Sequence, residues 1–166
     1  MARLTMKLEL HLPFLVVGVE GLQVNSRKHK DRNLTERHSV SPFPSGLTGR
    51  FALRNDSPVA YREMIEGEVA ELPPGVEAWI IVYPAQEAAY WPQSSVPLGQ
   101  TRFHVRAQFG RSETKDIGEK FILLLVIASQ NASTMFHGFR TEDAAMGLPD
   151  LPRETQTLAR VVVTRR

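Results

Sequence analysis

The chain has 166 residues, of which 42% are hydrophobic and 23% charged, proportions typical of one globular domain rather than of a disordered chain, a fibrous repeat or a membrane bundle. It carries 20 Lys and Arg against 18 Asp and Glu, a balance too even to favour a phosphate-rich partner for the chain as a whole. Cysteine is absent, which excludes disulfides, thiolate metal sites and cysteine nucleophiles.

The first residues resemble a secretion signal only weakly. Arg3 and Lys7 precede an apolar run at residues 8–19, but Glu9, His11 and Pro13 interrupt that run. No run of consecutive apolar residues approaches the ~20 that a membrane-spanning helix needs. We therefore expect no membrane span and favour a cytoplasmic location over export. Residues 14–19 remain a possible strand.

A basic segment follows this run. Residues 25–49 hold almost no large apolar side chains and bury too little surface to offset their ordering entropy. We therefore predict an N-terminal extension over residues 1–50, flexible at 25–49, ahead of a folded domain at 51–166. The alternative is a nucleic-acid-binding arm at residues 27–37, which is disfavoured because no aromatic side chain interleaves its charges. Its basic residues are Arg27, Lys28, His29, Lys30, Arg32 and Arg37.

Residues 51–166 show the pattern of short strands separated by turns. Residues 102–109 alternate apolar and polar side chains, which predicts a strand with one buried face. Residues 77–83 and 121–127 are apolar on both faces, which predicts central strands that are covered on both sides. Further strands are expected at residues 51–53, 61–70, 90–91 and 158–164.

About seven strands at this spacing, separated by Pro- and Gly-rich turns, predict an all-β, antiparallel sandwich. Its expected core includes Trp79, Val82, Phe103, Val105, Phe121, Leu123 and Val161.

One short helical crossover is expected between residues 129 and 147. Asn131 or Ser133 is a suitable N-terminal cap. Spacings of three and four residues place Met135, Phe136 and Phe139 on one apolar stripe. We expect this stripe to pack on the edge of the sandwich.

The chain offers no recognisable catalytic or metal-binding motif. Its five histidines, including His104 and His137, are scattered without the short spacing of metal ligands on one element. Glu66 and Glu68 share a strand face and are a conceivable acid/base pair, although a solvated strand face gives the same spacing. We predict no catalytic residues, metal ligands or cofactors. The alternative is a β-sandwich hydrolase or carbohydrate-active protein with an unrecognised site.

The most distinctive feature is an aromatic concentration at residues 79–93, which hold both tryptophans and two of the three tyrosines. Aromatic rings beside an amide side chain can stack on a sugar or grip a peptide. Trp79 is expected at the centre of the sandwich core. A basic side chain facing outward from the strand at 102–109 is a plausible additional polar contact. The candidate ligand-binding residues are therefore Tyr90, Trp91, Gln93 and Arg106.

Between residues 55 and 165 the chain contains a series of short motifs, each of which occurs once. They are Ser57-Pro58, Gly67-x-Val69, Pro74-Gly75, Trp79 with Val82-Tyr83-Pro84, Tyr90-Trp91-Pro92-Gln93, Asp116-x-Gly118 with Phe121, Gly147-Leu148-Pro149-x-Leu151-Pro152 and Val163-Thr164-Arg165. In this order and spacing the chain resembles a bacterial β-sandwich module, immunoglobulin-like in appearance, that occurs in proteins of diverse architecture. The resemblance implies a non-catalytic accessory domain and supplies neither a ligand nor established site residues. Together with the aromatic concentration and the lack of a catalytic motif, it favours a binding or protein-interaction module with a protein or glycan ligand.

Overall fold

The computed structural model of the protein describes residues 42–141 and 147–166. The predicted strand at 14–19 and the basic arm at 27–37 lie outside these residues. The described residues form eight strands and one helix. In chain order these are β1 (Gly49–Phe51), β2 (Ser57–Val59), β3 (Arg62–Val69), β4 (Val76–Pro84), β5 (Trp91–Ser95), β6 (Arg102–Gln108), β7 (Lys120–Ser129), α1 (Gln130–Thr141) and β8 (Thr155–Arg165).

The strands form two sheets, which confirms the predicted all-β sandwich. One sheet has the order β1-β3-β6, and the other has the order β2-β8-β7-β4-β5. Neighbouring strands are antiparallel, except that β2 runs parallel to β8 from Ser57 opposite Val163 to Val59 opposite Arg165. The expectation of wholly antiparallel pairing is therefore wrong at β2. Because β2 has only three residues and contains Pro58, it has no alternating pattern from which a strand is predicted.

The strands β4 and β7 lie at the centre of the larger sheet, as their apolar character on both faces predicts. Successive side chains of a strand point to opposite faces, so each of these strands contributes to two hydrophobic clusters. The first cluster lies between the sheets and includes Ile80 and Val82 of β4 with Leu123 and Leu125 of β7. All seven predicted core residues are buried.

The second cluster lies on the other face of the larger sheet, beneath α1. Trp79 is fully buried there, and its ring centroid is 5.2 Å from that of Phe136. The indole Nε1 of Trp79 donates a hydrogen bond to Ser133 Oγ at 3.1 Å. Burial of Trp79 is as predicted, but its expected position at the centre of the sandwich is wrong. The sequence pattern shows that both faces are apolar without showing which face the helix covers.

The N-terminal cap of α1 lies two to four residues earlier than predicted. The backbone N–H of Ala132 donates to Ser129 Oγ at 3.3 Å, so Ser129 serves the capping role that was expected of Asn131 or Ser133. Phe136 is fully buried, whereas Met135 is 56% exposed and lies outside the apolar stripe. Helix α1 contacts β4, β5 and β7 and therefore packs on a sheet face rather than on the sandwich edge.

The folded domain starts before residue 51. Strand β1 begins at Gly49, and Phe43 is buried in the cluster between the sheets with half-buried Leu47 against it. These two apolar side chains hold residues 42–49 on the sandwich, so the described part of the segment predicted to be flexible is packed. Residues 25–41 of that segment lie outside the described residues.

Two adjacent residues of α1 test its packing on the sheet. We expect Phe136→Ala to lower the free energy of unfolding by about 3–5 kcal/mol, because it leaves a cavity against Trp79. The matched variant Met135→Ala removes an exposed side chain and should change that free energy by less than about 0.5 kcal/mol. Urea denaturation of the full chain measures both values. Similar losses for the two variants would contradict the orientation of α1.

Candidate functional site

A groove of about 1050 Å³ opens at the end of the sandwich where β4 and β6 end and β7 begins. Its wall is built from the end of β4, the 84–90 loop, the start of β5, the 109–119 loop and the start of β7. Phe139, close to the end of α1, completes the lining. The groove is therefore assembled from segments that are distant in sequence and that meet only because of the strand order.

Trp91 is one of the apolar side chains that line the groove. It lies at the first position of β5, opposite Val82 of β4, and its ring centroid is 6.0 Å from that of Phe139 in an edge-on arrangement. The residue is half-buried. Its Nε1 is shielded from solvent and has no hydrogen-bond partner among residues 42–141 and 147–166. Gly147 packs directly on the indole, since a Cβ atom at that position would lie 2.9 Å from both Cε2 and Nε1 of Trp91.

Tyr90 supports this arrangement without lining the groove. Its backbone forms two hydrogen bonds with Leu148, from Tyr90 N to Leu148 O at 2.8 Å and from Leu148 N to Tyr90 O at 2.9 Å. Its ring packs against Tyr83 with centroids 4.8 Å apart and joins the cluster beneath α1. Tyr90 therefore fastens residues 147–149 to the start of β5, which holds Gly147 against Trp91.

Gln93 lines the groove and also joins the two sheets. Its Oε1 accepts a hydrogen bond from the backbone N–H of Gln108 at 2.9 Å, and its Nε2 donates to Trp91 O at 3.1 Å. Ser94 Oγ donates to Arg106 O at 3.2 Å. Side chains of β5 thus satisfy backbone groups along the edge of β6, and the sandwich is closed on this side.

Arg106 does not take part in the groove. Its position in β6 is opposite Met64 of β3, and both side chains are exposed. Of the four candidate ligand-binding residues, Trp91 and Gln93 line the groove, whereas Tyr90 and Arg106 do not. Sequence reasoning missed the loop residues of the groove, among them Glu87, because their proximity depends on strand order. The one sequence feature that marked part of this lining was the Asp116-Ile117-Gly118 turn.

An ion pair shapes the 109–119 loop. Asp116 has a left-handed backbone conformation with φ of 64°, and its Oδ2 accepts a hydrogen bond from the backbone N–H of Arg111 at 2.7 Å. The Arg111 guanidinium also contacts Oδ1 of the same carboxylate. Hydrogen bonds from the Arg111 side chain, and then from its backbone N–H, lower the pKa of Asp116. The Asp116 carboxylate in turn raises the pKa of Arg111.

The remaining charges of the groove are not balanced in the same way. Lys120 is engaged by Asp56, with Nζ 3.1 Å from Oδ1, and Glu119 accepts a hydrogen bond from the neutral amide of Gln86. Within the described residues, neither Glu87 nor Glu119 forms an ion pair. The two cations of the lining, Arg111 and Lys120, are thus already ion-paired with carboxylates. The carboxylates of Glu87 and Glu119 remain without such a partner among the described residues.

Glu66 and Glu68 lie on the solvent face of the smaller sheet. Glu68 Oε2 is 2.7 Å from Arg50 Nη2, and Glu66 Oε1 is 3.7 Å from His104 Nε2. This is a solvated strand face on which Glu68 is ion-paired with Arg50 and Glu66 lies beside an imidazole. No cluster of three or more His, Asp or Glu suited to a metal ion occurs among the described residues. In the same part of the chain, no helix has the length and apolarity to cross a membrane.

Compared with known proteins, the chain matches no family model, no curated protein and no solved structure. The candidate site is therefore defined by its geometry and chemistry.

A pair of identical glycine substitutions tests the packing behind Trp91. The Cβ of Gly147→Ala would lie 2.7 Å from Ala89 Cβ as well as against the indole, so we expect it to lower the free energy of unfolding by about 1–3 kcal/mol. Gly138→Ala in α1 adds a Cβ with no atom of another element within 4 Å. It should raise that free energy by up to about 1 kcal/mol through helix propensity. Equal effects in thermal and urea unfolding would contradict this packing.

Proposed function

We propose that the sandwich is a non-catalytic binding or protein-interaction module whose ligand occupies the groove. The observation that carries this proposal is the composition of the groove. Its volume of about 1050 Å³ is near the upper end of the ~300–1000 Å³ usual for ligand sites. Apolar surface from Trp91, Phe121 and Phe139 adjoins polar amides and charged side chains, which is the combination that gives both affinity and orientation.

One carboxylate of the groove, Asp116, is unsuited to acid catalysis. A general acid near neutral pH needs a carboxyl group whose pKa is raised towards the working pH. Asp116 shows the opposite, since its hydrogen bonds from Arg111 lower its pKa. Asp116 therefore stays ionised and acts on the shape of the 109–119 loop.

We further propose that the domain is immunoglobulin-like, and the strand order supports this. Immunoglobulin domains of the constant type place strands A, B, E and D in one sheet and C, F and G in the other. By their order, β1, β3 and β6 correspond to A, B and E, and β4, β7 and β8 correspond to C, F and G. Among the described residues no strand corresponds to D. The domain departs from the immunoglobulin pattern at Trp79 of β4, which packs beneath α1 instead of between the sheets.

The contacts among motif residues support a relation to the bacterial accessory module. Tyr90 and Trp91 belong to one motif of that resemblance, and Gly147 and Leu148 belong to another. These two motifs meet in the structure, through the Tyr90 and Leu148 backbone bonds and the packing of Gly147 on Trp91. Residues distant in sequence thus pack together around Trp91, which lines the groove.

The two tryptophans give a direct test of ligand binding. In the full chain labelled with ¹⁵N-tryptophan, each indole N–H gives one NMR signal, and Trp91→Phe assigns them. Titration with peptide pools and with oligosaccharides should shift the Trp91 signal, whereas the Trp79 signal should stay constant because that ring is fully buried beneath α1. If no probe shifts the Trp91 signal, or if both signals shift equally, the groove is not the binding site.

A further inference from the structure

The geometry points to a peptide ligand for the groove: an extended segment that carries Lys or Arg side chains. This inference rests on the proposed binding function and adds the chemistry of the partner. Three observations support it, namely the covering of Trp91, the uncompensated carboxylates and the amide side chains of the lining.

The covering of Trp91 argues against a sugar ligand. Stacking on a sugar needs an aromatic surface that is free to make contact. Here Gly147 packs against the five-membered part of the indole, and Phe139 approaches it edge-on. The indole N–H, which would be the polar handle for a sugar hydroxyl, is shielded from solvent. Trp91 therefore offers part of an apolar wall rather than a platform for a sugar ring.

The charges of the groove favour a cationic ligand. Arg111 is bound by Asp116 and Lys120 by Asp56. Glu87 and Glu119 are left without an ion-pair partner among the described residues, although both lie close enough to Arg111 to raise its pKa further. Lys or Arg side chains of a ligand would gain Coulomb energy from these carboxylates, whereas Asp or Glu side chains would be repelled.

The polar groups of the lining suit a peptide backbone. Gln86, Gln93 and Gln108 line the groove, and an amide side chain offers both donors and acceptors. After its bonds to Gln108 and Trp91, Gln93 retains one Nε2 hydrogen and one Oε1 lone pair. The outer strands of the larger sheet, by contrast, contain Pro58 and Pro92, which blocks continuous strand addition. A peptide would thus be recognised by side chains in the groove.

The test uses fluorescein-labelled nonapeptide pools in which one position is fixed as Arg, Lys, Gln or Glu. Binding to the full chain is followed by fluorescence anisotropy, with labelled oligosaccharides as a parallel probe. We expect the Arg and Lys pools to bind at least about threefold more tightly than the Gln pools, and the Glu pools to bind most weakly.

Variants that lack two carboxylates test whether Glu87 and Glu119 cause the preference for Arg and Lys pools. In Glu87→Gln/Glu119→Gln the Arg and Lys pools should bind at least about twofold more weakly and lose their advantage over the Gln pools. The control Glu71→Gln/Glu113→Gln removes the same charge from exposed residues outside the groove lining, and it should retain that advantage.

The outcomes separate this inference from the proposed function. Equal binding of all peptide pools, or oligosaccharide binding that shifts the Trp91 indole signal, would overturn the basic-peptide ligand while leaving the groove as a binding site. Basic-pool binding that responds equally to both double variants would overturn it as well. Failure of every probe to shift the Trp91 signal would overturn both proposals.

Discussion

Two strands with no polar face determine this structure. Strands β4 and β7 carry large apolar side chains on both sides, and burial of each such side chain stabilises the fold by about 1.5–3 kcal/mol. Exposing one whole face would remove more than the ~5–15 kcal/mol by which a domain is normally stable. Both faces must therefore be covered. The smaller sheet covers one, and α1, joined directly to the end of β7, covers the other through Ala132 and Phe136.

The groove forms where the smaller sheet and α1, which cover the two faces of the larger sheet, approach each other. Phe139 of α1 reaches Trp91 at the start of β5, while Gln93 of the same strand is bonded to the edge of β6. The 109–119 loop then connects β6 to β7 and is held in shape by Asp116 and Arg111. Helix α1 and the smaller sheet thus both contact β5. The groove lies at this end of the sandwich and is lined by side chains from α1, β5 and the 109–119 loop. The features that stabilise the sandwich also build the candidate site.

The sequence predicts the strands better than it predicts what they contact. Alternation at residues 102–109 and double-sided apolarity at 77–83 and 121–127 correctly indicate β6, β4 and β7, because these patterns reflect the local environment of each strand. The predicted location of Trp79 was wrong, because periodicity does not show whether a sheet or a helix covers a given face of a strand. The aromatic concentration led to Trp91 and Gln93, because both residues belong to one short segment of the sequence. Glu87, Glu119 and Phe139 were missed because only the tertiary fold brings them together.

Hydrogen exchange at the indole N–H of Trp79 tests most directly whether α1 is an obligatory cover of the larger sheet. That proton is hydrogen-bonded to Ser133 Oγ and fully buried, so under native conditions it should exchange as slowly as the backbone amides of Leu123 and Leu125, through global unfolding. Exchange of the indole proton at the rate of an exposed tryptophan, while those β7 amides remain protected, would show that the sandwich is stable without α1 and would contradict this account.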